Sequence, residues 1–119
     1  MKRLLLATVL LTLLGAAPAA ACTGGSRGDV RQRLAAADAA FVGSLAARRS
    51  GALVFRVAIR VTGPLGRRVR VHWVKGCGAP PRKGRRVGLL LHRSHGRWVA
   101  SGADVVAPGE LQKIVGIGP

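Results

Sequence analysis

Hydrophobic and polar residues alternate with a period of two through the middle of the chain, most clearly at residues 52–62. One predicted face carries Leu53, Phe55, Val57, Ile59 and Val61, and the other carries Val54, Arg56, Ala58, Arg60 and Thr62. The alternation and the β-branched residues predict a β-strand with one buried face and one solvent-exposed face.

Shorter alternating runs predict four more strands, at about 40–47, 67–75, 86–92 and 97–101. Turn-forming residues separate them: Arg49-Ser50-Gly51, Gly63-Pro64-Leu65-Gly66, the loop 76–84 and the hairpin turn Ser94-His95-Gly96. Residues 104–107 are a candidate extension of the sheet.

Two short helices flank the strands. Residues 29–40 place Val30, Leu34 and Ala37 at helical spacing, and Asp29 is a suitable N-cap. Pro108 is suited to the first turn of a second helix, at 109–114.

Five strands without α/β alternation predict an all-β domain over residues 22–114. Closure removes exposed strand edges, so a five-stranded OB-like barrel fits best, and an open β-sandwich is the alternative.

The first 21 residues have the features of a secretory signal peptide. Lys2 and Arg3 precede an apolar run, and Ala19-Ala20-Ala21 forms a small-residue cleavage site. Cleavage there would make Cys22 the first residue of a secreted or cell-envelope protein with no remaining membrane span. In the alternative, Cys22 is lipid-anchored, although Ala19 stands where lipoprotein signals usually have Leu. Residues 115–119 are predicted to fray.

An exported chain meets an oxidising environment, which favours pairing of its two cysteines, Cys22 and Cys77. Because they are 55 positions apart, the chain-entropy model gives such a bridge about 4 kcal/mol. Small domains bury a limited core, so this contribution would matter.

The chain is strongly basic, with a net charge of +16 that falls to +14 without Lys2 and Arg3. Such a charge predicts attraction to an anionic extracellular or envelope polymer, or to a protein partner. The alternative is that arginines only keep the surface solvated. Two Phe, two Trp and no Tyr offer little for base stacking, which argues against nucleic acid.

The candidate polyanion-binding residues lie on the polar faces of the second and third strands and in the following loop. They are Arg56, Arg60, Arg68, Arg70, His72, Arg82, Lys83, Arg85 and Arg86. The guanidinium group of arginine can donate two parallel hydrogen bonds to a carboxylate, sulfate or phosphate group.

Catalytic and metal-binding patterns are missing from the sequence. The four acids are scattered, the serines lack a nucleophile-elbow context, and His92 and His95 have no third ligand nearby in sequence. The sequence therefore predicts a non-enzymatic binding module without a metal or cofactor.

Several short segments, taken in order, resemble the netrin-like domains, the superfamily of the tissue inhibitors of metalloproteinases. They are Cys22-Thr23, the stretch 37–43 (ADAAFVG), Cys77-Gly78 and Val106-Ala107-Pro108. The resemblance covers most of residues 22–114. It implies an OB-like barrel with a Cys22–Cys77 disulfide.

The resemblance also implies an alternative function, metalloprotease inhibition. In those inhibitors the amine and carbonyl of the N-terminal cysteine chelate the protease zinc, and the next side chain enters the specificity pocket. These roles would fall on Cys22 and Thr23. The family's second N-terminal cysteine is replaced here by Gly24.

Overall fold

A computed structural model describes residues 29–116 of the chain. Its elements in chain order are α1 (Val30–Ala36), β1 (Ala39–Arg49), β2 (Ala52–Thr62), β3 (Arg68–Trp73), β4 (Arg86–Ser94), β5 (Arg97–Ala100), a 3-10 turn (Gly102–Asp104), β6 (Val105–Val106) and α2 (Pro108–Ile114). The predicted signal peptide, Cys22, Thr23 and residues 117–119 of the predicted tail lie outside the described residues.

The first five strands close into a barrel in the order β1-β2-β3-β5-β4, and β4 returns to pair with β1. All of these pairings are antiparallel except that of β3 with β5, which is parallel. This closure confirms the predicted OB-like barrel over the open sandwich. The predicted extension at 104–107 contains β6, which pairs with β4.

The barrel interior is filled by side chains from all five strands. Phe41 of β1 and Phe55 of β2 are fully buried, and their rings meet edge to face with centroids 5.6 Å apart. Leucine and valine side chains complete this cluster: Leu45, Leu53, Leu65, Val69, Val71, Val87, Leu89 and Leu91. Edge-to-face contact and apolar burial stabilise the closed form.

A second apolar cluster lies outside the barrel, where the two helices cover β1 and β4. Ala40, Val42 and Leu90 point outward there and pack with Leu111 of α2. Both faces of β1 are therefore buried near its start, which explains why residues 39–43 do not alternate in exposure.

The prediction that β2 has a single apolar face is wrong for the second half of the strand. The register of β1 with β2 shifts between Val42 and Gly43, so that Val42 pairs with Ile59 while Gly43 pairs with Val57. One extra residue on β2 is a β-bulge, which reverses the face that later residues occupy. Ile59 and Val61 therefore pack in the outer cluster, whereas Val57 packs against the barrel interior.

The helix ends follow local hydrogen bonding. The side chain of Asp29 accepts a bond of 2.8 Å from the backbone N–H of Gln32, as its predicted N-cap role requires. Helix α1 stops at Ala36, earlier than predicted, because the chain joins the sheet at Ala39.

In the part of the chain that the structure describes, no helix has the length and apolarity to cross a membrane.

Gly43 lies where β1 and β2 approach closely, and Gly43→Ala is expected to destabilise the barrel. An added Cβ would collide with the backbone carbonyl oxygen of Arg56. Overpacking of this kind costs about 1–3 kcal/mol. Gly66→Ala is the matched control, because nothing lies within 4 Å of a Cβ there. Urea unfolding should give a lower midpoint for Gly43→Ala alone; equal midpoints would contradict the described packing.

Candidate functional site

Antiparallel pairing brings arginines of β2 and β3 together on the outside of the barrel. Arg56 lies opposite Arg68, and Val54 lies opposite Arg70. The alternate residues of both strands fill the interior, so these arginines point to solvent, and all three are exposed. We call Arg56, Arg68 and Arg70 the basic face. Directly opposed side chains have Cβ atoms about 4.5–5.5 Å apart, so the face concentrates positive charge.

A line of outward residues continues from this face across two more strands. Ser44 of β1 pairs with Arg56 on one side and with Arg86 of β4 on the other. Arg86, Ser44, Arg56 and Arg68 therefore lie side by side on four neighbouring strands, and we call them the arginine row. With strands about 4.8 Å apart, the row is about 14 Å long.

A shallow depression of about 310 Å³ lies beside the basic face. Ala47 and Val54 give it an apolar surface, and Arg49, Arg68 and Arg70 surround it. Arg49 was not among the candidates predicted from the sequence, because its segment was interpreted as a turn. Strand β1 instead runs on to Arg49, which pairs with Ala52.

Arg97 of β5 is a second residue that the sequence did not single out. Val71 of β3 pairs with Trp98 in the parallel part of the sheet, which places Arg97 level with Arg70. Trp98 packs against the interior, so Arg97 points outward by alternation. Sequence patterns do not reveal which distant strand pairs with β3.

Predicted candidate His72 lies on the same outward surface, next to Val99, which pairs in turn with His92. The Nε2 atom of His92 is 3.2 Å from a carboxylate oxygen of Asp104. Asp104 also accepts a bond from the backbone N–H of Ser101 and so caps the 3-10 turn. Within the described residues, no three potential ligands converge on a metal site.

Arg60 does not lie on the basic face, which corrects the prediction from strict alternation. The bulge in β2 turns it away, and its guanidinium donates a bond of 3.2 Å to the carbonyl oxygen of Leu65. Arg60 therefore holds the β2–β3 connection.

A larger cleft of about 620 Å³ lies where the β3–β4 loop meets β6 and the start of α2. Arg82, Arg85 and Arg86 line it, and we call it the arginine cleft. Its other walls are apolar or small: Gly78, Ala79, Pro80, Pro81, Val87, Gly102, Val105, Val106, Ala107 and Pro108. Predicted candidate Lys83 is not in the lining; it lies beside Leu45 of β1 in a short parallel bridge.

The loop that forms one wall of the cleft is held in place by close contacts. The indole N–H of Trp73 donates a bond of 3.1 Å to the carbonyl oxygen of Gly78. An added Cβ on Gly78 would lie only 3.1 Å from the Cα of Gly102, so the two segments touch through glycines. Pro80 and Pro81 further restrict the backbone. These contacts favour a cleft that exists before any ligand arrives.

The acids of the described chain are engaged away from these arginines. The one ion pair among the described residues joins His92 to Asp104. Asp38 accepts a bond of 2.6 Å from the backbone N–H of Arg93. Asp29 and Glu110 line a separate depression between the helices, together with Arg31 and Lys113. The basic face and the arginine cleft thus keep their positive charge uncompensated within the described chain.

The predicted N-terminal contact residues, Cys22 and Thr23, lie outside the described residues. Cys77 lies in the β3–β4 loop, and its backbone carbonyl oxygen packs closely against Gly102. The Cys22–Cys77 bridge and zinc chelation by Cys22 therefore stay predictions.

Comparisons with family models, with curated proteins and with solved structures found no match for this chain. The fold therefore defines the class of protein as a small, basic, OB-like barrel. The netrin-like resemblance stays a prediction from short motifs.

Replacing Arg56 with Thr is expected to stabilise the isolated domain. Like charges placed opposite each other across two strands destabilise a sheet, and Thr suits an exposed strand position. Relief of the repulsion from Arg68 should raise the free energy of unfolding by about 0.2–1 kcal/mol at low salt. Urea unfolding at low and high salt measures this effect. The gain should shrink as salt screens the pair, and a loss of stability at both salt concentrations would contradict the arrangement.

Proposed function

We propose that this protein is a secreted binding module that holds an anionic extracellular or envelope polymer on the basic face. The supporting observation is the cross-strand pairing of Arg56 with Arg68, with no carboxylate of the described chain at ion-pair distance. Keeping unpaired like charges opposite each other costs stability, and an anionic ligand would relieve that cost.

Acidic glycans fit this surface better than nucleic acids do. Base stacking needs exposed aromatic rings, but Phe41 and Phe55 are fully buried. Trp73 and Trp98 pack partly against the barrel interior, and the guanidinium of Arg93 covers the ring of Trp98 at 4.6 Å. The basic face has no aromatic ring. It instead offers planar guanidinium groups, which bind sulfate and carboxylate through paired hydrogen bonds.

Export and the cysteine bridge belong to the same proposal. A glycan partner would be met outside the cytoplasm, where the predicted signal peptide directs the chain and a disulfide persists. Metalloprotease inhibition remains the alternative that the resemblance implies. It depends on Cys22 and Thr23, and no described contact favours it.

The double variant Arg56→Thr/Arg68→Thr is expected to elute from a heparin column at clearly lower salt than the wild type. The matched control is Arg31→Ser/Lys113→Ser, which removes the same charge from the depression where Asp29 and Glu110 lie. Each lost contact should reduce the salt slope of binding by about 1. The proposal predicts a reduction of about 2 for the face variant and little change for the control.

Equal elution of the two double variants would contradict the proposal. It would mean that the column responds to net charge alone, as it would with an arginine surface that serves only solubility. Circular dichroism of both variants should match the wild type, so that a change of fold is not mistaken for lost binding.

Intact mass of the exported protein tests the predicted processing. The expected mass is that of a chain beginning at Cys22 and lacking the two hydrogens lost to a disulfide. Reduction should restore those hydrogens and lower the thermal midpoint, because the bridge restricts the unfolded chain. A mass that includes acyl chains on Cys22, or that keeps both thiol hydrogens, would contradict this processing.

A further inference from the structure

We infer that the arginine row and the arginine cleft form one continuous track for a linear acidic glycan, which crosses the strands at Ser44. This inference rests on the proposed function and specifies the ligand's path and minimum length. It uses residues that the four-strand register brings together and that no local sequence pattern connects.

Arg86 joins the two parts of the track. It lies at one end of the arginine row, because it pairs with Ser44, and it also lines the arginine cleft. A chain bound to Arg56 and Arg68 can therefore pass over Ser44, reach Arg86 and enter the cleft without leaving the basic surface.

Ser44 is the one uncharged residue in the arginine row. Its small, half-buried side chain lies between Arg56 and Arg86 on neighbouring strands. The three arginines of the row thus lie at about 0, 10 and 14 Å along the path, from the spacing of strands. A ligand that uses all three must be extended over that length, which requires several linked sugars.

The arginine cleft lies at the Arg86 end of the track. Arg82 and Arg85 join Arg86 there, so several guanidinium groups can surround one sulfate or carboxylate. The proline and valine walls offer apolar surface to a sugar ring. Since the loop wall is held by contacts to Trp73 and Gly102, ordering this loop adds little cost to binding.

The test is binding of heparin oligosaccharides of two to twelve sugars, measured by calorimetry at one salt concentration. The wild type should bind a hexasaccharide at least about 30-fold more tightly than a disaccharide, since linked contacts raise the effective concentration of the second. The variant Ser44→Glu should weaken hexasaccharide binding by about 10-fold. Its carboxylate would lie beside both Arg56 and Arg86 and repel the ligand's anionic groups.

Three variants control for the other effects of that substitution. Ser44→Gln introduces a side chain of nearly the same size as that of Ser44→Glu, but without its negative charge. Gln32→Glu adds one negative charge on α1, away from the track. Both should stay within about 2-fold of the wild type, since screening limits the reach of a surface charge. Ser44→Arg should instead tighten hexasaccharide binding. This opposite sign keeps the test decisive if Ser44→Glu folds poorly.

The outcomes separate this inference from the function on which it rests. Equal weakening by Ser44→Glu and Gln32→Glu would overturn the track, while a selective effect of Arg56→Thr/Arg68→Thr on heparin elution would leave the proposed function standing. If that double variant also matches its control, the proposed function fails first. Equal or tighter binding of single-stranded DNA of the same charge would overturn the assignment to a glycan.

Discussion

The pairing of β1 on both of its edges is the constraint on which the rest of the structure depends. Its hydrogen bonds to β2 and to β4 close the barrel, and the same register sets Ser44 between Arg56 and Arg86. A slip of one residue would move every side chain of β1 to the opposite face. Phe41 and Leu45 oppose such a slip, because both are buried in the interior cluster and the slip would turn them away from it. The core therefore fixes the position of the charged surface.

Stability and charge oppose each other in this domain. The interior of Phe41, Phe55 and the surrounding leucines and valines favours folding, whereas arginines placed opposite each other disfavour it. Three of the four acids in the described chain form contacts elsewhere: Asp29 caps a helix, Asp38 accepts a bond from the backbone of Arg93, and Asp104 stabilises a tight turn. Repulsion between positively charged side chains is thus concentrated on the outer surface of the strands. The unrelieved repulsion is the physical reason for expecting an anionic partner there.

Local sequence patterns predicted much of this fold, and non-local pairing accounts for the misses. Alternation located the five barrel strands, and Asp29 and Pro108 marked the starts of both helices. Strict alternation failed beyond Val57, because the sequence keeps alternating through the β-bulge and gives no sign of it, and Arg60 was misplaced as a result. Arg97 was overlooked because the parallel pairing of β3 with β5 joins distant segments. Arg49 was overlooked because the end of β1 was predicted too early. The arginine cleft was not predicted, because it forms where the β3–β4 loop meets β6 and no local sequence pattern encodes that contact.

The most direct test of an anion-binding outer surface is a nuclear magnetic resonance titration of the ¹⁵N-labelled domain with a heparin hexasaccharide. Binding along the arginine row and in the arginine cleft should give the largest amide shifts at residue 44, residues 54–56, residues 68–70 and residues 82–86. Amides of α1 and of the second half of α2 should move little. Shifts centred on those helices, or small shifts spread evenly over all basic residues, would show that the arginine row and the arginine cleft do not bind the hexasaccharide.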